Sequence, residues 1–222
     1  MPENIPHTPW SSQAFYFKGL LSTYDWIALG FCCRFIWQCP SEIILKLYDQ
    51  HISGNHLDIG VGTGYFLDKC KFPTDNPRLI LVDINAHSLN KVQKRLRRYR
   101  PEIYRINILE PFSIDIPGFD SISLSHLLHC LPGNMEDKGI VFQNMLPLLN
   151  PGGVLFGTTF LYQGIYRNPL ATHAFWWTNQ LGFMDNKKDS LDGLSQNLKR
   201  YFLESSIEVR GCEAIFWARK SR

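Results

Sequence analysis

The segment 56-HLDIGVGTGYFLDKC-70 decides how this chain is read. A short apolar strand candidate runs into glycines at alternate positions, Gly60, Gly62 and Gly64, and a helix candidate follows. Glycine tolerates positive φ and lets the backbone approach a ligand closely, so the turn has the form of a nucleotide site. Spacing separates the ligand classes that use such turns. A G-x-x-x-x-G-K-[ST] loop needs a lysine to neutralise phosphate, and none follows these glycines closely. A dinucleotide turn, G-x-G-x-x-G, uses its third glycine to bring helix and strand together. Here Gly64 comes one residue early and the bulky Tyr65 takes the next position.

The remaining option is a donor with no phosphate, S-adenosylmethionine, whose amino-acid end and ribose need only close backbone approach. Asp58 precedes the loop, where a carboxylate can meet an ammonium directly or through water. Asp83 ends the next apolar run, 78-RLILVDI-84, and a carboxylate there can accept both ribose hydroxyls.

Beyond the loop, strand and helix patterns alternate. Strands are expected at 56-HLDIG-60, 78-RLILVDI-84, 103-IYRINIL-109, 120-DSISLSH-126 and 154-VLFGTTFL-161. Helices are expected at 65-YFLDKCK-71, at 85-NAHSLNKVQKRLRRY-99 with Asn85 as N-cap, and at 135-MEDKGIVFQNMLPLL-149. Such alternation implies an α/β fold, a parallel sheet with helices on both faces. The segment 150-NPGG-153 reads as a turn, residues 161 to 190 as irregular, and 190-SLDGLSQNLKRYF-202 as a helix. The tail 205-SSIEVRGCEAIFWARK-220 reads as a hairpin around Gly211 and Cys212. Residues 1–50 read as an arm and a helical lid or cap before a core at 51–222. The cap's aromatic stretch puts Trp26, Gly30, Cys33 and Trp37 on one helical side, and a second helix runs from Pro40 to about Gln50.

Bulk properties exclude several classes. With 222 residues and 45% hydrophobic content, a full core is available without disulfides or metal. A net charge of +3 is too mild to imply nucleic-acid binding. The basic run 91-KVQKRLRRYR-100 reads as a solvated helix face, with RNA as a secondary reading. The six cysteines form no C-x-x-C pair, which suits free thiols in a reducing cytosol. No secretory signal or transmembrane helix is expected.

Five stretches, LDIGVGTGYF, LVDIN, INILEP, FDSISLSHLLHCLP and LNPGGVLFGTTFL, resemble in order the motifs of class I S-adenosylmethionine-dependent methyltransferases of the type 11/12 kind, over roughly residues 55 to 160. The resemblance implies a Rossmann-like, doubly wound seven-stranded sheet, mostly parallel, with a C-terminal antiparallel hairpin. The stretch 24-YDWIALGFCCRFIW-37 is similar to the segment preceding the core of quinone-biosynthesis C-methyltransferases. That similarity implies that Tyr24 and Trp37 lie near the donor; the Asn and His of the signature are missing. Where the family often has an acidic residue for the adenine amino group, this chain has Asn107, whose amide oxygen can accept the same bond. Ile84 and Ile108 or Leu109 would sandwich adenine.

Methyl transfer needs alignment, exclusion of water, and a base only when the acceptor is protonated. Ligands collect at the carboxyl ends of strands in open α/β sheets, which brings forward Ser125, His126, His129 and Cys130. Histidine as a residue type titrates near neutrality, so His126 is the candidate base. His129 matches a histidine that in the superfamily serves site architecture. A metal site from His126, His129 and Cys130 has no supporting carboxylate, and none is expected. The sequence thus points to a small, apolar or aromatic acceptor such as a phenol, quinone precursor or lipid, with O- or C-methylation open. The chain is expected to be a cytoplasmic monomer or homodimer, without nucleic acid, with peripheral membrane contact allowed. The alternatives are a donor-binding protein that performs a rearrangement without transfer and, less favoured, an RNA methyltransferase.

Overall fold

The computed structural model describes residues 25–111 and 116–222, the side chain of Trp26 excepted. Seven strands form one sheet: β1 (Asn55–Ile59), β2 (Arg78–Asp83), β3 (Glu102–Arg105), β4 (Phe119–Ser125), β5 (Leu149–Phe160), β6 (Glu204–Arg210) and β7 (Glu213–Arg219). Their order is β3-β2-β1-β4-β5-β7-β6. β1 to β5 pair in parallel, while β7 runs antiparallel to both β5 and β6. The expected sheet is present, hairpin included.

Alternation in the strands sets the two faces. In β2, Leu79 and Leu81 join one apolar cluster, and Ile80 and Val82 join the other, all four buried. A strand buried on both faces is what a parallel sheet covered by helices requires. On one side lie α1 (Ser41–His51), α2 (Tyr65–Lys69), α3 (Ala86–Arg95) and α5 (Pro169–Gln180), contributing Ile44, Phe66, Val92 and Phe175. On the other lie α4 (Gly139–Met145) and α6 (Leu191–Tyr201), contributing Phe142, Leu194 and Leu198. β1 is asymmetric: Leu57 and Ile59 enter the second cluster, which leaves His56 and Asp58 facing α1.

Before α1, Asp25–Ile36 winds as a π-type helix, closed by bonds such as Trp37 N–H to Cys32 O at 2.9 Å. Its buried positions are Leu29 and Cys33, continued by Trp37 just beyond its end, a four-residue spacing that suits the wider turn. Gly30, expected on that side, is exposed instead, because the wider winding gives its place to Leu29.

Three other expectations change. The stretch read as irregular contains α5, whose N-cap Asn168 accepts from Ala171 N–H at 2.7 Å with Pro169 in the first turn. Its helical period was hidden because Leu170, Trp176 and Trp177 are exposed while only Ala171 and Phe175 are buried. β3 stops at Arg105, where Asn107 turns the chain through its own side chain and leaves Ile106 to Leu109 beyond the strand. The stretch 150-NPGG-153 is not a separate turn but an excursion within β5, where pairing with β4 skips from Leu149 to Val154. The basic run is largely a solvated face, with Lys94, Arg97, Arg98 and Arg100 exposed, but two of its arginines are engaged. Arg95 is partly buried, and Arg98 donates to Asp68 at 2.6 Å.

A fully buried lysine fixes the segment after β4. Lys138 Nζ donates to both Asp189 carboxylate oxygens, at 2.8 and 2.6 Å, and to Asp185 O at 2.7 Å. Asp185 N–H in turn donates to His129 O at 2.9 Å. Burial pulls the lysine down and lifts Asp189 to about 6, opposed in each case by the partner's charge. A pair of this kind is costly to break and cheap to replace. Lys138→Met is expected to destabilise the protein by about 3–5 kcal/mol in denaturant unfolding, and adding Asp189→Leu to recover most of that loss.

Candidate functional site

The strand order reverses between β1 and β4: the chain leaves β1 toward β2 and β3, and leaves β4 toward β5. At such a switch point the crevice outside the carboxyl ends of the strands is open to a ligand. A pocket lies there, lined by Gly60 and Gly62 from the loop, Asp83 and Ile84 after β2, Asn107 and Ile108 after β3, and His126, Leu127 and Cys130 after β4. Six of the residues expected from sequence around the donor, together with His126, therefore share one cavity.

The loop is shaped by its glycines. Gly60, Gly62 and Gly64 have φ of +72°, +52° and +70°. A Cβ on Gly60 would stand 2.8 Å from Leu127 Cδ1 on the pocket wall, so the cradle exists only without a side chain. Gly64 stands at the start of α2, outside the pocket lining, where a Cβ would meet Val92 Cγ1 at 2.8 Å.

Asp83 clamps this loop. Its Oδ1 accepts from Asn85 N–H at 2.8 Å, and the backbone N–H groups of Gly62, Val61 and Ile84 face it and favour its charged form. Burial outweighs those donors and lifts the carboxyl to about 6. Asn85 caps α3 as expected, accepting from His87 and Ser88 N–H. Asn107 is at the pocket, but its amide oxygen also accepts from Leu109 N–H at 3.2 Å and its amide donates to Glu110 at 2.8 Å.

Asp58 lies below the loop rather than in the pocket lining. It is buried, with Ser123 Oγ and Tyr48 Oη both donating to Oδ2, the latter at 3.2 Å. Burial raises its carboxyl to about 6. Ser125 closes β4 opposite Thr158 and is not in the pocket lining. Trp37 is not brought to the pocket either: it is buried between Phe160 and Phe175, with ring centroids at 4.8 and 4.7 Å. Tyr24 lies outside the described residues.

The residue that sequence reasoning missed is Glu213. It begins β7, is fully buried, and holds Oε1 2.6 Å from His126 Nε2, an ion-pair distance without the geometry of a hydrogen bond. His126 lines the pocket with its side chain 21% exposed and φ +55°, a region costly to a non-glycine residue, and its ring stacks on Phe160 at 5.1 Å. The available signal was a carboxylate in an otherwise apolar strand, 212-CEAIFWA-218. Burial and the Glu213 carboxylate push the Cys39 thiol up, and burial pushes Cys130 up to about 12. Neither thiol is primed as a nucleophile. His129 is buried; its Nδ1 accepts Phe160 N–H at 3.3 Å, and burial holds it well below the ordinary histidine value. Among the described residues no group of three or more His, Cys, Asp or Glu side chains is arranged to hold a metal.

Arg95 was also missed as an individual. Its guanidinium reaches Asp25 at 2.7 Å, Thr63 O in the glycine loop at 3.0 Å and Asp68 at 3.3 Å. One side chain thus ties the N-terminal helix, the loop and α2 together.

A family model described as a methyltransferase domain matches residues 57–155. The demethylluteothin O-methyltransferase of Streptomyces thioluteus is 37% identical over 93% of this chain and 90% of its own length. The methyltransferase ctvB of Aspergillus terreus is 37% identical over 94% of this chain and 93% of its own. Among solved structures, the N-methyltransferase NodS of Bradyrhizobium japonicum in complex with S-adenosyl-L-homocysteine shares the fold, with a TM-score of 0.56, 20% identity, and coverage of 82% of this chain and 85% of that one. Among the described residues no helix is long and apolar enough to cross a membrane.

The glycine geometry can be tested by stability alone. Gly64→Ala combines a left-handed backbone with a 2.8 Å approach to Val92. It is expected to cost on the order of 1–3 kcal/mol in denaturant unfolding.

Proposed function

We propose that this chain, which belongs to the class I S-adenosylmethionine-dependent methyltransferases, methylates a hydroxyl of a small apolar or aromatic metabolite, an enol or a phenol, with His126 as the base. The observation that carries this reading is the His126–Glu213 pair at the mouth of the nucleotide pocket. The relative from Streptomyces thioluteus, an O-methyltransferase by name, supports the oxygen acceptor.

The residues present fit the donor. The side-chain-free wall at Gly60 and Gly62 admits close backbone contact, Asp83 would accept the ribose hydroxyls, and Asp58 would face the ammonium. Ile84 and Ile108 would flank adenine, and Asn107 would meet its amino group with the oxygen lone pair left by Leu109 N–H. When bound, S-adenosylmethionine supplies an electrophilic methyl group on a sulfonium. Phe160 and Phe66, with ring centroids 5.1 and 6.1 Å from that of His126, give the acceptor side a dry wall.

With the donor bound, the acceptor oxygen would take the methyl as its bond to sulfur breaks and leaves the electron pair on S-adenosylhomocysteine, and the hydroxyl proton would pass to the His126 nitrogen turned away from Glu213, Nδ1. Glu213, at ion-pair distance, offsets the imidazolium charge, while the stack on Phe160 holds the ring. The reading assigns proton removal to this pair rather than to a metal-bound hydroxide. It includes a cytoplasmic location, which the six free cysteines support.

The decisive experiment is product analysis with a methyl-labelled donor and a panel of enols and phenols. Label in an O-methyl product with equimolar S-adenosylhomocysteine supports the reading, and acceptor turnover without S-adenosylhomocysteine overturns it. His126→Ala is expected to lower kcat about 10²–10⁴-fold while donor affinity changes far less, and Glu213→Gln to lower kcat in the same direction. Asp83→Ala is expected to weaken donor binding strongly by calorimetry. Because burial lifts Asp58 and Asp83 to about 6, both are largely protonated at pH 5 and ionised at pH 7. Donor affinity should therefore fall as pH falls through about 6, and that loss should shrink in the Asp83→Ala variant.

A further inference from the structure

Behind Asp58 runs a buried line of hydrogen bonds that the reaction as described does not use. Ser123 Oγ donates to Asp58 Oδ2. A hydroxyl has one proton, so the 3.0 Å contact between Ser123 Oγ and His56 Nε2 must have the histidine as donor. Burial pulls His56 down to about 3; the ring is neutral, and with its proton on Nε2 the other nitrogen is an acceptor. The 2.7 Å contact at Nδ1 is then a bond donated by Ser121 Oγ. Ser121 Oγ in turn accepts from Ser53 N–H at 2.9 Å. From His56 through Ser123 the protons point toward Asp58; Ser121 Oγ also lies 2.8 Å from Ser53 Oγ, which donates to Asn55 O at 2.8 Å.

The ring has no freedom to do otherwise. His56 is fully buried and stacks on Phe156 at 5.8 Å with 25° between planes. Its place on β1 faces a serine pair two residues apart on β4, with His56 opposite Ser121 and Asp58 opposite Ser123. A histidine with both nitrogens on two serines in a fully buried strand is a costly choice unless the line it completes is used.

We propose that His56 is a positioning residue for the methyl donor: through Ser123 it aims a proton at Asp58 and holds that carboxylate as the acceptor for the donor's ammonium. The proposal rests on the reading that Asp58 meets that ammonium. The titratable groups facing Asp58 are Tyr48 from α1, Asp83 from β2, Cys70 after α2, and His56 by way of Ser123. Tyr48 donates to Asp58, while Asp83 repels it and burial disfavours its charge. The polarised Ser123 hydroxyl is thus one of two donors opposing burial and a like charge.

The test is calorimetric titration with S-adenosylhomocysteine between pH 5 and pH 8, for the intact protein and for His56→Phe, His56→Gln, Ser123→Ala and Asp58→Asn. Phenylalanine keeps the ring stack and removes both bonds. The expected result is an acid limb moved up by about one pH unit in His56→Phe and in Ser123→Ala. That corresponds to roughly fivefold weaker binding at pH 6, with convergence on the intact protein at pH 8. Glutamine, which retains one donor and one acceptor, should lie near the intact protein. Affinity lowered equally at every pH in both variants, or unchanged, overturns the proposal. If His56→Phe fails to fold, Ser123→Ala decides by the same two outcomes. Asp58→Asn binding like the intact protein throughout overturns instead the reading of Asp58 on which the proposal rests.

Discussion

The site depends on β1 being hydrogen-bonded in parallel to a neighbour on each side, β2 and β4, whose onward connections leave in opposite directions. That one constraint opens the crevice at the carboxyl edge. It also forces β1 to be buried on both faces, so any polar group it carries must be satisfied within the core. Leu57 and Ile59 meet this on one face by being apolar. His56 and Asp58 meet it on the other through the serines of β4 and Tyr48. The loop that begins at Gly60 inherits its direction from this strand. The pocket is therefore an outgrowth of strand pairing rather than an addition to it.

The same economy governs the far side of the crevice. His126 follows β4 and Glu213 begins β7, on either side of β5, and they meet because the register of β5 with β7 sets Phe160 opposite Glu213. Phe160 then serves twice, stacking on His126 and packing against Trp37. Trp37 therefore bears on the site through the core and not by touching a ligand. Below, the Lys138–Asp189 pair holds the segment that carries His129, and His129 holds the backbone of Phe160. The reacting side is in this way tied to both faces of the sheet.

Local chemistry made much of this legible in sequence. The positive-φ glycines, Asp83 at a strand end and the cap at Asn85 each follow from their immediate neighbours. What escaped depends on partners distant in the chain. Nothing near Glu213 names His126, nothing in a run of arginines singles out Arg95, and His56 in 55-NHLDI-59 gives no hint of two serines on another strand. Helix α5 escaped for a different reason: its apolar residues are largely exposed, so the period that marks a buried face is absent. Trp37 was drawn toward the donor by resemblance, whereas its large ring finds burial between two phenylalanines.

The backbone at His126, with φ +55°, is one that glycine adopts freely and histidine does not. The protein gives up stability there to keep an imidazole at the crevice. Selection for a firmer fold and selection for chemistry consequently pull this position in opposite directions. On the proposed role of His126 as base, a lineage released from that chemistry would gain by discarding the ring, so the occupant of this single position would mark whether the chemistry is kept.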